Sequence, residues 1–379
     1  MTVEMKKYKL GEVLEEFHSG NSIKAADIKD VGKYPVFGAN GLRGYTDRYN
    51  CDGDVAIIGR QGAYCGNVKF FSGKAYYTEH AVIAKPRKGF DAKYLACKLP
   101  FYQLEKYQGQ SAQPGLSVGT LSLIDIELPS YENQRSVASV LQTLDKRIEN
   151  LRAQNRVLEQ TAKTIYDYTF LQCAGHQTTY NKTLNRNIPA DWEIDNLYRI
   201  ADFTNGLACQ KYRPITEKEK LPVIKIREMH DGVTADTEFV RSDIPEKVIV
   251  NPGDLLFSWS ASLEVMMWNG VKGGLNQHIF KVTPKEYFSL YFVYFQLKDY
   301  IGNFKRMAEA RKTTMGHITT DHLNQSRIAI PDEETMKRFS SQVTPLFKKQ
   351  LVNSQQIETL TTQRNTLLPL LMTGQVEVM

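Results

Sequence analysis

Apolar and polar positions follow one order along this chain, and then follow it again. Lys9 to Phe17 places Leu10, Val13, Leu14 and Phe17 on one helical face, which predicts a short helix stopped by Gly20. Strands are predicted at Tyr34 to Phe37, Asp54 to Ile58, Val68 to Phe71 and His80 to Ala84, with a turn at Gly38-Ala39-Asn40-Gly41. Asp91 to Lys106 reads as helix, Gln108 to Gly119 as a polar loop and Ile124 to Leu128 as a closing strand. The order then returns. Ile194 to Phe203 is the short helix with Gly206 as its stop, and Leu221 to Ile224 a strand. Leu255 to Trp259 and Gln277 to Phe280 are further strands. Lys285 to Met307 is helix, Glu309 to Thr320 the polar loop and Arg327 to Ile330 the closing strand. Gly53-Asp54-Val55-Ala56-Ile57-Ile58 and Gly253-Asp254-Leu255-Leu256-Phe257-Ser258 are the plainest matched pair.

Each copy leads through a proline, Pro129 or Pro331, into a long helical pattern. Leu141, Leu144, Ile148, Leu151, Leu158, Ala162 and Ile165 fall at heptad-like steps in the first, and Val343, Leu346, Ile357, Leu360, Leu367 and Leu371 in the second. Ser130 and Asp332 suit the helix starts, and Gly175 and Gly374 the stops. At ~1.5 Å per residue, each helix is ~60 Å long. Asn155 interrupts the first seam, and Gln350, Asn353 and Arg364 the second. Such residues either fix register and partner or mark a wet stretch. The chain order favours an antiparallel helix pair with the two globular units about an approximate two-fold axis.

Composition narrows the class. The 379 residues are 42% apolar, enough for two ordinary cores. No run of ~18 apolar residues is present, so no membrane span is expected. The polar, basic Met1 to Lys9 does not read as a signal peptide. Cys51, Cys65, Cys97, Cys173 and Cys209 form no CxxC pair, which points to a reducing, cytoplasmic setting. The net charge of +6 suits a nucleic-acid ligand without requiring one. No catalytic constellation stands out. Asn251-Pro252-Gly253-Asp254 reads as a turn before a strand, no phosphate-binding glycine loop follows a strand, and the histidines lack metal-protease spacing.

Several further stretches carry a family resemblance when taken in order. They are Tyr34-Pro35-Val36 with Gly38-Ala39-Asn40-Gly41, Gly59-Arg60-Gln61-Gly62, Leu116-Ser117 and Ile126-Glu127-Leu128-Pro129 with Gln134. Ala190-Asp191-Trp192-Glu193 and Leu370-Leu371-Met372-Thr373-Gly374 complete the set. Over essentially its whole length the chain resembles the specificity (S) subunit of type I restriction-modification systems. The second copy departs from the pattern, with Ser258-Trp259-Ser260 in place of Gly-Arg-Gln-Gly. The resemblance implies an α+β fold with two repeated globular target recognition domains separated by two long antiparallel coiled-coil helices in a pseudo-two-fold arrangement. The boundaries would be 1–129 and 176–330 for the domains, with 130–175 and 331–379 for the helices and tail. It implies double-stranded DNA as ligand, each domain reading half of a split site. It also implies two modification (methyltransferase) subunits as partners, which restriction (motor-nuclease) subunits can join. The chain itself would bind no cofactor; S-adenosylmethionine would sit on the modification subunits, which methylate adenine.

Phosphates call for cations and small donors, base edges for side chains with a matching donor–acceptor pattern. In the first copy Arg43, Arg48, Arg60, Gln61 and Lys69 fall in loops around the buried strands, and Gln110, Ser111 and Gln113 in the polar loop. In the second, Lys225, Arg227, Ser260, Asn276, Gln277 and His278 take the matching places, followed by Lys305, Arg306, Arg311, Lys312, Thr313 and Thr314. That last run also reads as an ordinary charged helix end. The aromatics Tyr64, Tyr76, Tyr77 and Trp259 are candidates to lie on the sugar-phosphate chain, or else core residues. His80 and His278 recur at one place and read first as structural. Tyr166, Tyr168, Phe170 and Phe347, at the edge of the seams, are the expected docking residues for the modification subunits. A stand-alone regulator of split operators and a coiled-coil scaffold remain the competing classes.

Overall fold

In the computed structural model the described residues are 3–109, 115–215, 219–260, 262–310 and 320–378, with the side chains of 308–310 excepted. The chain divides into two compact units, Met1–Ile148 with Thr359–Met379, and Glu149–Glu358. Each long helix therefore contributes to both.

The first unit is built on a four-stranded antiparallel sheet in the order Leu14–Ser19, Ala81–Pro86, Asp54–Gly59, Val68–Ser72. Val55 to Gly59 are all buried, because Ala56 and Ile58 face one core and Val55 and Ile57 another on the opposite face of the sheet. Gly41–Thr46, Tyr34–Gly38 and Tyr76–Tyr77 form a second sheet. Lys6–Lys9 pairs with the closing strand Asp125–Leu128. Leu10, Ile58, Leu95 and Leu121 pack in one core with Leu141, Leu371 and Met372 from the long helices. Two expectations need correction here. Lys9 to Phe17 is a 3-10 turn, Leu10–Val13, followed by a strand, because the backbone of Leu14–Ser19 pairs with Ala81–Pro86. Asp91 to Lys106 is α-helical only over Ala92–Lys98. Pro100 then brings 3-10 turns, and Gln103 turns left-handed at φ 50°.

The second unit repeats the scheme. Its sheet runs Ala201–Asn205, Ile279–Pro284, Leu255–Ser258, Glu264–Met267. Its second sheet runs Phe239–Arg241, Lys220–Ile224, Gly273–Leu275, Ile249–Val250, and Glu193–Asp195 pairs with Ile328–Ile330. The predicted helix Ile194 to Phe203 is helical only over Leu197–Ile200, with strands on either side. The longer helix begins at Leu290 rather than Lys285.

The long helices span Tyr131–Tyr166 and Glu333–Met372. The N–H of Thr335 donates to Asp332 Oδ1 at 2.8 Å, capping the second. Lys98 Nζ reaches the Met372 carbonyl at 2.5 Å near its other end, where Gly374 takes φ 71°. Within the second unit Asn155 Nδ2 meets Ser354 Oγ at 3.1 Å, and the Phe170 ring lies 4.9 Å from that of Phe339. The helices are antiparallel there. The polar seam residues are paired rather than left to solvent. Asn353 Nδ2 donates to Asn155 Oδ1 at 2.9 Å, and in the first unit Arg364 Nε meets Asp145 at 2.6 Å. Lys93 completes that second set at 2.5 Å from the same carboxylate. Burial pushes the Asp145 carboxyl up, but hydrogen bonds and charge from Lys93 and Arg364 outweigh it and hold it below the usual carboxylate range.

Candidate nucleic-acid interface

In the first unit the buried strand Asp54–Gly59 delivers Arg60 and Gln61 to one cluster of loops. The Arg60 N–H donates to the His80 carbonyl at 2.9 Å, and the Arg60 carbonyl accepts from the Leu116 N–H at 2.9 Å. Gly59 is packed so closely that a side chain there would strike the carbonyls of Tyr64 and Ala39. Lys69 Nζ reaches the Asn40 carbonyl at 2.7 Å, and the Arg43 stem lies against Gly38. The structure thus brings Arg43, Arg60, Gln61 and Lys69 together with His80. Arg60 Nε donates to the Leu116 carbonyl at 3.2 Å. Among the described residues, none of Arg43, Arg60 and Lys69 faces a carboxylate at ion-pair distance, so their charge is available to an anionic ligand. Arg48 is elsewhere. It lies beyond the far end of the Gly41–Thr46 strand, paired with Asp27 at 3.2 Å and over the Tyr76 ring.

The second unit keeps the same frame bond for bond. The Thr78 N–H donates to the Phe37 carbonyl at 2.8 Å, as Asn276 does to Ile224 at 3.1 Å. His80 N–H faces Thr78 Oγ1 at 3.4 Å, as His278 N–H faces Asn276 Oδ1 at 3.3 Å. Trp259 N–H donates to the His278 carbonyl at 3.2 Å, taking the place of Arg60. Gly20 and Gly206 each sit against a carbonyl of the matching turn, Tyr77 and Asn276, with no room for a side chain. The turn that carries His80 and His278 is therefore a shared scaffold. Thr78 and Asn276 complete it, a role visible in the sequence only as an oxygen-bearing side chain two residues before each histidine.

What stands on that scaffold differs. Where the first unit makes its hairpin turn at Gly38–Gly41, the second inserts the helix Ile226–Asp231. Lys225 pairs with Glu238 at 2.5 Å, and that hydrogen bond and charge hold the Glu238 carboxyl below its usual range. Arg227 donates to Glu228 Oε1 through Nε and Nη2 at 3.1 and 2.8 Å. Glu228 is 1% exposed and also accepts from Thr237, so this is a built network that sequence reading missed. Ser260 is buried at the strand's end. Gln277 and His278 contact one another, Nε2 to Nε2, at 3.3 Å, and Trp259 lies 5.6 Å from the His278 ring. Lys305 and Arg306 are exposed on the Leu290–Ala310 helix. Gln110, Ser111, Gln113, Arg311, Lys312, Thr313 and Thr314 lie outside the described residues.

Of the candidate aromatics, two take the core reading. Tyr76 and Tyr77 are buried, whereas Tyr64 is 47% exposed beside Gln61. Of the expected docking residues, Tyr166, Phe170 and Phe347 pack in the second unit's core with Phe292, Phe295 and Phe339. The first helix widens to a π turn over Asp167–Leu171, which carries Phe170 inward in line with Ala162 and Tyr166. Tyr168 is 59% exposed.

Comparison with known proteins places this architecture. A family model for the type I restriction modification DNA specificity domain matches residues 2–160 and 189–362. Over 165 residues the chain is 37% identical to the EcoprrI specificity subunit, a type I restriction enzyme component of Escherichia coli. That match covers 42% of this chain and 41% of that protein. The MjaIX specificity subunit of Methanocaldococcus jannaschii is 27% identical over an alignment of 416 residues, covering 99% of this chain and 94% of that one. Among solved structures, the type I restriction-modification S subunit of M. genitalium superposes with a TM-score of 0.68 at 14% identity. It covers 97% of this chain and 96% of that one, a likeness of fold.

Proposed function

We propose, from the premise that this chain belongs to the type I restriction modification DNA specificity family, that each of its repeated units reads one half of a bipartite DNA site. The supporting observation is the shared turn at His80 and His278. A fixed scaffold presents different side chains in the two copies, the arrangement a protein needs to read two different half-sites with one fold.

In this reading Arg43, Arg60 and Lys69 meet phosphates or guanine edges, and Gln61 meets a base. Gln110, Ser111 and Gln113 would extend the same contact. In the second unit Ser260, Asn276, Gln277, Lys305, Arg306, Arg311, Lys312 and Thr313 are the candidates, with Asn276 chiefly a turn builder. Lys225 and Arg227 contribute less, since their charges already meet carboxylates. Arg48 contributes through its pair with Asp27 rather than at the reading cluster.

The long helices set the gap between half-sites and dock two modification subunits, with exposed Tyr168 in that contact. The chain carries specificity and no chemical step. Adenine methylation and S-adenosylmethionine belong to the modification subunits, a complex that restriction subunits can join.

The test is adenine-methylation mapping of DNA from cells that make this chain with its cognate modification subunit. A split motif that disappears when this chain alone is removed is the expected result. Chain-independent methylation would instead favour an operator-binding regulator.

A further inference from the structure

Gln61 stands at a constrained point of the first unit's loop cluster. The residue before it, Arg60, is held on both sides: its N–H donates to the His80 carbonyl at 2.9 Å, and its carbonyl accepts from the Leu116 N–H at 2.9 Å. The Cys65 thiol adds a third contact to the Arg60 carbonyl at 3.1 Å. Gln61 bridges Gly115 in antiparallel register, and its stem lies alongside that glycine. Its backbone is therefore positioned through its neighbour Arg60 and the Gly115 bridge, a condition for selective base reading.

The side chain is also placed. Gln61 Oε1 lies 3.0 Å from His80 Nδ1. The His80 main chain is in turn held by Thr78 and by Arg60, and its Nε2 lies 3.5 Å from Glu79 Oε1. A primary amide has one accepting end and one donating end, and a free glutamine can turn either toward a base. In the tautomer that carries its proton on Nδ1, the ring donates to Oε1, and turning the amide over would set its N–H groups against that N–H. Both N–H groups of Gln61 then remain to donate. Major-groove acceptors are N7 of either purine, O6 of guanine and O4 of thymine, whereas cytosine offers its N4 donor there.

We propose that Gln61 reads one base of the first unit's half-site as a hydrogen-bond donor, and that His80 is the positioning residue that fixes which end of its amide faces the DNA. The proposal rests on the reading of the first unit as a DNA reader. The second unit carries a histidine at the matching place, but the residue matching Gln61 is Ser260, a buried side chain with no amide. The role is therefore specific to the first half-site.

The experiment maps adenine methylation in cells that make the full chain and its modification subunit, using wild type, Gln61→Leu, His80→Ala and His80→Asn. Wild type is expected to require, at one position of one half-site, a base with a major-groove acceptor. Gln61→Leu and His80→Ala are expected to lose discrimination at that same position by about 5- to 150-fold, the range one good side chain–base pair supplies. His80→Asn, whose amide N–H stands near the place of Nδ1, is expected to keep it. The other half-site is expected to stay unchanged in every variant. An unchanged motif in Gln61→Leu overturns the proposal. Weaker methylation at an unchanged motif in His80→Ala reduces His80 to a structural residue and overturns its part. Absence of any chain-dependent split motif in wild type instead sinks the underlying reading of the unit as a DNA reader.

Discussion

The two units share a backbone and differ in electrostatics. In the first, Arg43, Arg60 and Lys69 converge with no carboxylate at ion-pair distance among the described residues. In the second, Lys225 and Arg227 occupy the corresponding region but are engaged by Glu238 and by the buried Glu228. The comparison separates two jobs. Hydrogen bonds at His80 and His278 and the tight glycines make the scaffold. The inserted residues, a hairpin turn in one copy and the helix Ile226–Asp231 in the other, decide what the scaffold offers to a ligand.

The largest expected effect tests the shared part. Gly20→Ala and Gly206→Ala each drive a side chain into a neighbouring carbonyl, and each is expected to destabilise its unit by about 3 kcal/mol in urea unfolding. Tolerance of one and not the other would break the equivalence of the two frames. The next effect separates the helix seams. Asp145→Asn removes the anchor of Lys93 and Arg364, and a loss of about 2 kcal/mol is expected, between values for exposed and fully buried pairs. Asn155→Ala in the second unit's amide pair is expected to cost about 1 kcal/mol.

The two seams also differ in response to acid. Asp145 is depressed in the folded chain, so its contribution is full above the unfolded value near ~3.9 and is lost as pH falls through the lower folded value. Asp145→Asn is therefore expected to flatten stability against pH below about 4, with no comparable change from Asn155→Ala. Thermal unfolding across that range reads the difference.

A smaller effect tests the electrostatic contrast directly. Arg43→Ala or Lys69→Ala is expected to lower the slope of log affinity against log salt by up to about 0.9 for the assembled complex on DNA. Lys225→Ala is expected to lower it by less, because its charge is already paired. Equal slopes would erase the asymmetry. The smallest effect on the chain itself is Tyr168→Ala, expected within about 0.5 kcal/mol of the parent because the side chain is exposed. Its expected consequence is weaker capture of the modification subunit in co-purification.

Sequence patterns reveal most of the strands because central strands such as Val55–Gly59 bury both faces and read as continuous apolar runs. The edges are harder to read. Lys6–Lys9 is almost wholly polar and becomes a strand only by pairing with Asp125–Leu128. Leu10, Val13, Leu14 and Phe17 have helical spacing, yet pairing with Ala81–Pro86 overrides it. The candidate reading cluster was legible as residue types next to a buried strand, but not as a geometry. Nothing in the sequence separates Arg48, paired with Asp27, from Arg43. Nor does the order of residues reveal that Glu228 is buried beneath Arg227. Tyr166, Phe170 and Phe347 were misplaced because a seam counted for two helices leaves out a third, Leu290–Ala310, whose Phe292 and Phe295 pack on them.

The central claim is that each unit reads its half of the site independently, and a unit exchange tests it most directly. Residues 1–129 would be replaced by the matching segment of a relative with a different target, and adenine methylation mapped in cells supplying the modification subunit. One half of the split motif is expected to change to that of the donor, with the other half and the gap length kept. A change in both halves, or a motif that is no longer split, would contradict the account.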